Sequence, residues 1–221
     1  MDKKRAIRIL TKAALAYKDN LEDQKVLFLY GIPSKVQKQL QTKESILSSI
    51  RGYEVAFHRH NFLHLTGVKA NKNEVTSSIN FYQKCLENRL AETDFSFSKD
   101  GSTGQKLDIL ENMMLIKENV TMIGDFTDNG PKLFSEKAAG NVFGCLGFIQ
   151  DRNTKLNVPN TLLKKDIRDI VARPIYKIFA VLSKKYTDEK YSHISKIDKA
   201  INIKEVVFSE EIENLIARDK L

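Results

Sequence analysis

Apolar positions follow a helical period in several parts of the chain. In the opening segment Ile7, Leu10, Ala14 and Tyr17 lie at helical spacing, while lysines and arginines occupy other positions around it. This pattern predicts an amphipathic helix that packs its apolar side against a core. By the same criterion, helices are predicted in Met1–Tyr17, Glu74–Arg89, Gly104–Lys117 and Glu205–Ala217, whereas Lys35–Ser49 fits either a helix or a loop.

Other segments alternate apolar and polar residues or are apolar throughout, as strands are. Strands are predicted in Lys25–Tyr30, Tyr53–Phe57, Val120–Phe126, parts of Lys132–Lys137, Val142–Ile149, Ile175–Lys185 and Tyr191–Ile197. The last two predict a hairpin, although Ile175–Lys185 also fits a helix. Before this hairpin, after the strand predicted in Val142–Ile149, Thr161 is a plausible N-cap for a short helical turn through Asp166–Ala172. Early helices followed by many strands predict an α+β fold with an antiparallel sheet.

Composition indicates one folded domain over residues 1–221, since 42% hydrophobic and 29% charged residues are typical of globular chains. No apolar run approaches the about 18 residues that a membrane-spanning helix needs. Arg8 and Lys12 also interrupt what would be the apolar part of a signal peptide. Cys85 and Cys145 are isolated in apolar surroundings, which favours buried thiols in a reducing compartment. We therefore expect a cytoplasmic protein with no membrane partner.

Positive charge is concentrated at the two ends of the chain. Of the net charge of +8, residues 1–60 contribute 12 Lys and Arg against 6 Asp and Glu, and residues 161–221 contribute 13 against 10. If the ends meet in the fold, they form one basic face that attracts phosphates. The alternative is that the charge only keeps the protein in solution.

Several common catalytic motifs are missing from the sequence. There is no glycine-rich phosphate loop, no Cys-x-x-Cys pair and no His-Glu-x-x-His zinc helix. A Gly-x-Ser-x-Gly elbow is also lacking. These observations disfavour nucleotide-driven enzymes, zinc hydrolases and serine hydrolases, and no cofactor is expected.

Three of the four histidines lie in the segment FHRHNFLHLTG, which makes it the richest in chemistry. If the preceding strand continues, His58, His60 and His64 point to the same side. A metal site is one interpretation, but no carboxylate or cysteine lies nearby in the sequence to complete a ligand set. His64, between two leucines, suits proton transfer, and a core histidine bonded to a backbone carbonyl is the alternative.

Candidate phosphate ligands follow from residue type and position. Thr66 and Gly67 could offer a hydroxyl and an N–H group, or simply form a turn. Lys106, close to the start of a predicted helix, could meet an anion together with free N–H groups, or remain a solvated lysine. Lys137, before a central strand, and Lys184, late in a hairpin strand, are similar candidates.

The segment NFLHLTGV at 61–68 resembles a hallmark of a nuclease family associated with phages and mobile elements, within the barnase–EndoU–colicin–RelE-like superfamily. Further similar stretches follow in order: Phe81–Tyr82, Gln105–Leu107, Ser135–Gly140, Leu146–Phe148, VPNTLLKKDIRD at 158–169 and AVLSKK at 180–185. The resemblance covers most of residues 10–215. It implies N-terminal helices packed on an antiparallel sheet of about four strands, with an additional N-terminal helix and strand and a C-terminal helix.

The resemblance also implies a metal-independent endoribonuclease in which the RNA 2′-hydroxyl attacks the adjacent phosphate. On this basis the predicted catalytic residues are His64, Thr66 and Lys106, and the predicted phosphate-binding residues are Lys137, Thr161 and Lys184. Expected partners are RNA and an inhibitor or antitoxin protein, in keeping with a toxin or defence effector. The alternatives are a non-catalytic RNA- or protein-binding module on the same fold, and a structural or regulatory phage or plasmid protein.

Overall fold

The computed structural model describes residues 1–31, 50–127 and 135–221. Within these ranges the helices are α1 (Lys3–Asn20), α2 (Asn61–Thr66), α3 (Ser78–Leu86), α4 (Ser102–Met113), α5 (Ile116–Asn119) and α6 (Glu210–Leu215). The strands are β1 (Gln24–Gly31), β2 (Ile50–Phe57), β3 (Val68–Ala70), β4 (Phe95–Phe97), β5 (Met122–Asp125), β6 (Lys137–Gly140), β7 (Cys145–Gln150), β8 (Asn157–Leu163), β9 (Tyr176–Lys185) and β10 (His193–Ile197).

Eight of the described strands form one large sheet in the order β1-β2-β8-β7-β6-β5-β9-β10, and β3 and β4 pair separately. Because β1 also pairs with β9, the first seven strands of this order close into a ring. Most pairings are antiparallel, but β2 and β8 meet in parallel at Val55 and Asn157. The α+β class is confirmed, whereas the expected count of about four strands is wrong. The sheet is larger than expected for two reasons. The N-terminal strand β1 joins it by pairing with β9, and residues expected to form a turn form the strand β8.

The two faces of β1 contact different parts of the core, as the alternation of side chains in a strand requires. Val26 and Phe28 belong to the main cluster, which also contains the buried residues of helices α1 to α4. Leu27 and Leu29 face a second cluster formed by the C-terminal residues around Phe208 and α6. Residues 26–30 of the strand are therefore all apolar, because both faces are buried there.

Helix α1 packs its apolar side against the start of the histidine-rich segment. The Asp2 carboxylate caps the helix by accepting a hydrogen bond from the Arg5 N–H at 2.8 Å. Near the other end Tyr17 packs edge-on against Phe62, with ring centroids 5.5 Å apart. The Tyr17 hydroxyl also donates to the His58 carbonyl at 2.8 Å. These contacts fix where the histidine-rich segment leaves β2.

Two predictions of local structure, for the histidine-rich segment and for Thr161, are wrong. The strand containing Phe57 ends there, so His58, His60 and His64 do not alternate along one strand, because residues 61–66 form α2 instead. Thr161 is not an N-cap, since it lies within β8. The described C-terminal α-helix is also shorter than predicted, at residues 210–215, and the segment 35–49 lies outside the described residues.

Other predictions from the pattern are confirmed. Residues 175–185 and 191–197 form the antiparallel pair β9 and β10, so the helical alternative for the first is wrong. Cys85 and Cys145 are both buried free thiols, and burial raises the pKa of each to about 12. Among the described helices, none combines the length and apolar character needed to cross a membrane.

Candidate active site

The short helix α2 is built by local hydrogen bonds at both of its ends. At its start the Asn61 side chain accepts a hydrogen bond from the His58 N–H at 2.9 Å. At its end the Thr66 hydroxyl donates to the Leu63 carbonyl at 2.7 Å and accepts from the Val68 N–H at 3.2 Å. Thr66 is fully buried. These hydrogen bonds give Thr66 a structural role in closing the helix.

Gly67 ends α2 and attaches it to α4. It has a positive φ of 71°, a conformation that glycine adopts without strain. Its carbonyl accepts hydrogen bonds from the hydroxyls of Thr103 at 2.6 Å and Ser98 at 3.1 Å. A Cβ atom at Gly67 would lie only 2.7 Å from Cδ of Lys106. The missing side chain therefore allows the Lys106 stem to lie directly over this turn.

Lys106 reaches from α4 to the sheet. Its Nζ donates a hydrogen bond to Oγ1 of Thr161 in β8 at 3.3 Å. Burial lowers the pKa of Lys106, with the charge of Asp100 acting in the opposite direction. Lys106 and Thr161, which are 55 residues apart in the sequence, thus form one polar contact.

His64 is exposed on α2, within range of the charge of Lys106. Partial burial of the ring lowers the pKa of His64, and the positive charges of His60 and Lys106 lower it further. At neutral pH the imidazole is therefore mainly uncharged and has a nitrogen that can accept a proton. His60 precedes it by one helical turn, and the His58 and His60 rings stack with centroids 5.3 Å apart.

Two further residues, not predicted from the sequence, lie beside Thr161. A Cβ atom at Gly147 would be 2.6 Å from Oγ of Ser135 and 2.9 Å from Cγ2 of Thr161. Ser135 Oγ is buried and has no hydrogen-bond partner in the described part of the chain. The glycine therefore allows two hydroxyl-bearing residues to approach each other across β7.

Comparison with known proteins identifies the kind of protein to which this site belongs. The model of a family described as "phage-Barnase-EndoU-ColicinE5/D-RelE like nuclease" matches residues 9–200. The chain belongs to this nuclease family. No curated protein and no solved structure matches the chain.

Five of the separate stretches that resemble the family meet in space, namely 61–68, 105–107, 135–140, 146–148 and 158–169. The Gly67 turn contacts Lys106, Lys106 binds Thr161, and Thr161 lies with Ser135 around Gly147. Ser135 and Gly147 lie in stretches that resemble the family, but the sequence does not predict them as site residues. Ser135 lies beside Gly147 because β6 pairs with β7, and Thr161 lies beside Gly147 because β7 pairs with β8.

Two predicted phosphate ligands of the nuclease lie away from these contacts. Lys137 forms an ion pair with Asp125 and lies over the Tyr53 ring, 5.6 Å from its centroid. Lys184 donates to the Glu189 carbonyl at 2.7 Å and lies 4.7 Å from the centroid of the Tyr191 ring. Neither lysine has a recorded contact with His64, Lys106 or Thr161.

Over residues 1–31, 50–127 and 135–221, no three or more His, Cys, Asp and Glu residues are grouped so that they could hold a metal ion.

Proposed function

We propose that this nuclease is an endoribonuclease that needs no metal ion, and that it acts as a toxin or defence effector of a phage or mobile element. In the proposed reaction the RNA 2′-oxygen bonds to the adjacent phosphorus while the bond from phosphorus to the 5′-oxygen breaks. The products carry a 2′,3′-cyclic phosphate and a 5′-hydroxyl. The observation that carries the proposal is an exposed histidine, His64, whose pKa is lowered by the charge of Lys106, the lysine that donates to Thr161.

His64 is proposed as the general base that takes the proton from the 2′-hydroxyl. A general base must be unprotonated at the working pH and reachable by the substrate. The lowered pKa of His64 satisfies the first condition, and its exposure satisfies the second. The α2 helix and the Gly67 turn fix the backbone that carries the ring.

Lys106 is proposed to stabilise the negative charge that develops on the phosphate oxygens. Its ammonium group is held in place by Thr161 and by the Gly67 turn, so it need not reorganise when charge develops. The lowered pKa of Lys106 also makes it a better proton donor, and we assign it the proton that the 5′-oxygen receives. The Thr161 hydroxyl is buried, and by accepting from Lys106 it holds the ammonium group in place.

RNA is the proposed substrate because this chemistry uses a 2′-hydroxyl, which DNA lacks. The net charge of +8 supports a polyanionic substrate. A toxin that cuts cellular RNA requires control in its own host, so an inhibitor protein is the proposed protein partner.

The test is incubation of purified protein with total cellular RNA in EDTA. Cleavage by the wild type is expected, and His64→Ala and Lys106→Ala are expected to lose most of it. Lys12→Ala is the matched control, since Lys12 is an exposed lysine on α1 without a recorded ion pair. Tight RNA binding without cleavage would overturn the proposal in favour of a non-catalytic RNA-binding module.

A further inference from the structure

A positively charged pocket lies where β1, α5, β9 and β10 meet. It encloses about 280 Å³. Its basic lining residues are Lys117, Lys184, Lys185 and His193. Asp188 is the one acidic side chain among the described lining residues, and its carboxylate accepts a hydrogen bond from the Lys185 N–H at 3.2 Å. The lining therefore carries more cationic than anionic groups.

The cations of this pocket are not neutralised by ion pairs. Lys117 Nζ donates to the amide oxygen of Gln24 at 2.8 Å, and Lys184 Nζ to the Glu189 carbonyl. In the described ranges no carboxylate lies within 4.0 Å of the ammonium groups of Lys117, Lys184 or Lys185. Burial lowers the pKa of Lys117 and of Lys184, while the charges of Glu118 and Glu54, respectively, act in the opposite direction. An anion of phosphate size would pair directly with these ammonium groups.

A series of aromatic rings leads from this pocket towards His64. Tyr186 follows the pocket residue Lys185 directly and is 40% exposed. The Lys25 ammonium lies 5.1 Å from the centroid of its ring. On the other side the Tyr186 and His58 rings are 5.2 Å apart, and His58 stacks in turn on His60.

This series ends at the candidate active site. His60 is the residue directly before α2, and His64 follows four residues later, within the helix. Proteins that hold single-stranded nucleic acid alternate cations with rings on which bases stack. The series from the pocket to His64 has this composition, with Lys117 and Lys185 at one end and Lys106 at the other.

We propose that the pocket of Lys117, Lys184, Lys185 and His193 binds a second phosphate of the same RNA strand that is cut at His64. Bases between the two phosphates stack on Tyr186 and on the paired rings of His58 and His60. This inference rests on the proposed function and assigns it a substrate class, which is single-stranded RNA of several nucleotides. A dinucleotide reaches only the site at His64.

The test measures binding of 2′-O-methyl RNA, which keeps the phosphates but cannot be cut by its own 2′-oxygen. Fluorescence anisotropy is recorded with oligomers of about eight nucleotides, within the range typical of such sites. The double variant Lys117→Gln/Lys185→Gln is expected to weaken binding about 10-fold and to reduce the salt slope by about 0.7, the value for one lost phosphate contact. Tyr186→Ala is expected to weaken binding by about 5- to 150-fold. Circular dichroism verifies that each variant is folded.

The control is Lys4→Gln/Lys12→Gln, which removes the same charge from two exposed lysines on α1. Equal weakening by both double variants would overturn the proposal, because net charge alone would then explain it. Unchanged binding by Lys117→Gln/Lys185→Gln would also overturn it. Cleavage of an unmodified RNA dinucleotide is followed separately and is expected to be unchanged by Lys117→Gln/Lys185→Gln. If the wild type cuts no RNA while the binding differences persist, the proposed function fails and the phosphate pocket stands.

Discussion

Replacing Gly67 with alanine tests how the turn after α2 positions Lys106. Alanine disfavours the positive φ of 71° found here, and a residue held in this region costs about 1–2 kcal/mol. The new Cβ would also lie 2.7 Å from Cδ of Lys106, which is closer than real Cβ contacts allow. The lysine stem is flexible, so it moves aside at little further cost in stability. Its ammonium group then leaves the position 3.3 Å from Thr161.

The expected result is a moderate loss of stability and a larger loss of activity. A loss of about 1–2 kcal/mol lowers the melting temperature of a chain of this size by roughly 2–8 °C. Displacing a charge-stabilising group by about 1 Å costs up to about 100-fold in rate. We therefore expect Gly67→Ala to reduce kcat about 10- to 100-fold under conditions in which the protein is fully folded.

Gly101→Ala is the matched control for this experiment. Gly101 has nearly the same φ, 75°, but a Cβ atom there meets nothing within 4 Å. The two variants should therefore lose similar stability, measured by thermal unfolding with circular dichroism. Only Gly67→Ala should lose activity, measured as the rate of RNA cleavage at saturating substrate. Equal cleavage rates for the two variants would refute the argument that the Gly67 turn positions a catalytic lysine.

Three further predictions concern His64, the core and a buried ion pair. Cleavage should fall as the pH drops through a pKa below 6.5, because protonated His64 cannot accept a proton, and a pH–rate profile without this acid limb would contradict the assignment. In urea unfolding Phe148→Ala, in the buried core, should cost about 3–5 kcal/mol, whereas Phe143→Ala, 76% exposed, should change stability by less than about 0.5 kcal/mol. Asp94→Ala should cost about 1–3 kcal/mol in the same assay because Lys84 and the Ala91 N–H both lose the carboxylate that they bind at 2.7 Å, and a loss below about 0.5 kcal/mol would argue against these contacts.

Segments with a strong and regular pattern were predictable from the sequence. The five residues 26–30 are apolar on both faces and lie within β1, which is buried on both sides. The strand β8 is not predicted from the sequence, because Pro159 is unusual inside a strand and Thr161 also suits a helix N-cap. In the structure Pro159 pairs next to an irregularity in register, between Gly147 and Phe148, where a missing N–H group is tolerated.

The site was predictable in its residue types but not in its arrangement. His64 and Lys106 can be selected as chemically suitable, yet their neighbourhood depends on the Gly67 turn and on β8. Lys137 and Lys184 have the same side chain and comparable sequence surroundings. The structure instead places them beside other groups, an aspartate in one case and a backbone carbonyl in the other. Such differences arise from contacts between distant segments, which local patterns do not encode.

The most direct test of the central claim uses a DNA oligonucleotide that contains a single ribonucleotide. The account predicts one cut, in EDTA, on the 3′ side of that ribonucleotide, with a 2′,3′-cyclic phosphate on one product and a 5′-hydroxyl on the other. Mass spectrometry of the products distinguishes these ends from simple phosphates. Cleavage at deoxynucleotides, or a strict requirement for an added metal ion, would contradict the account.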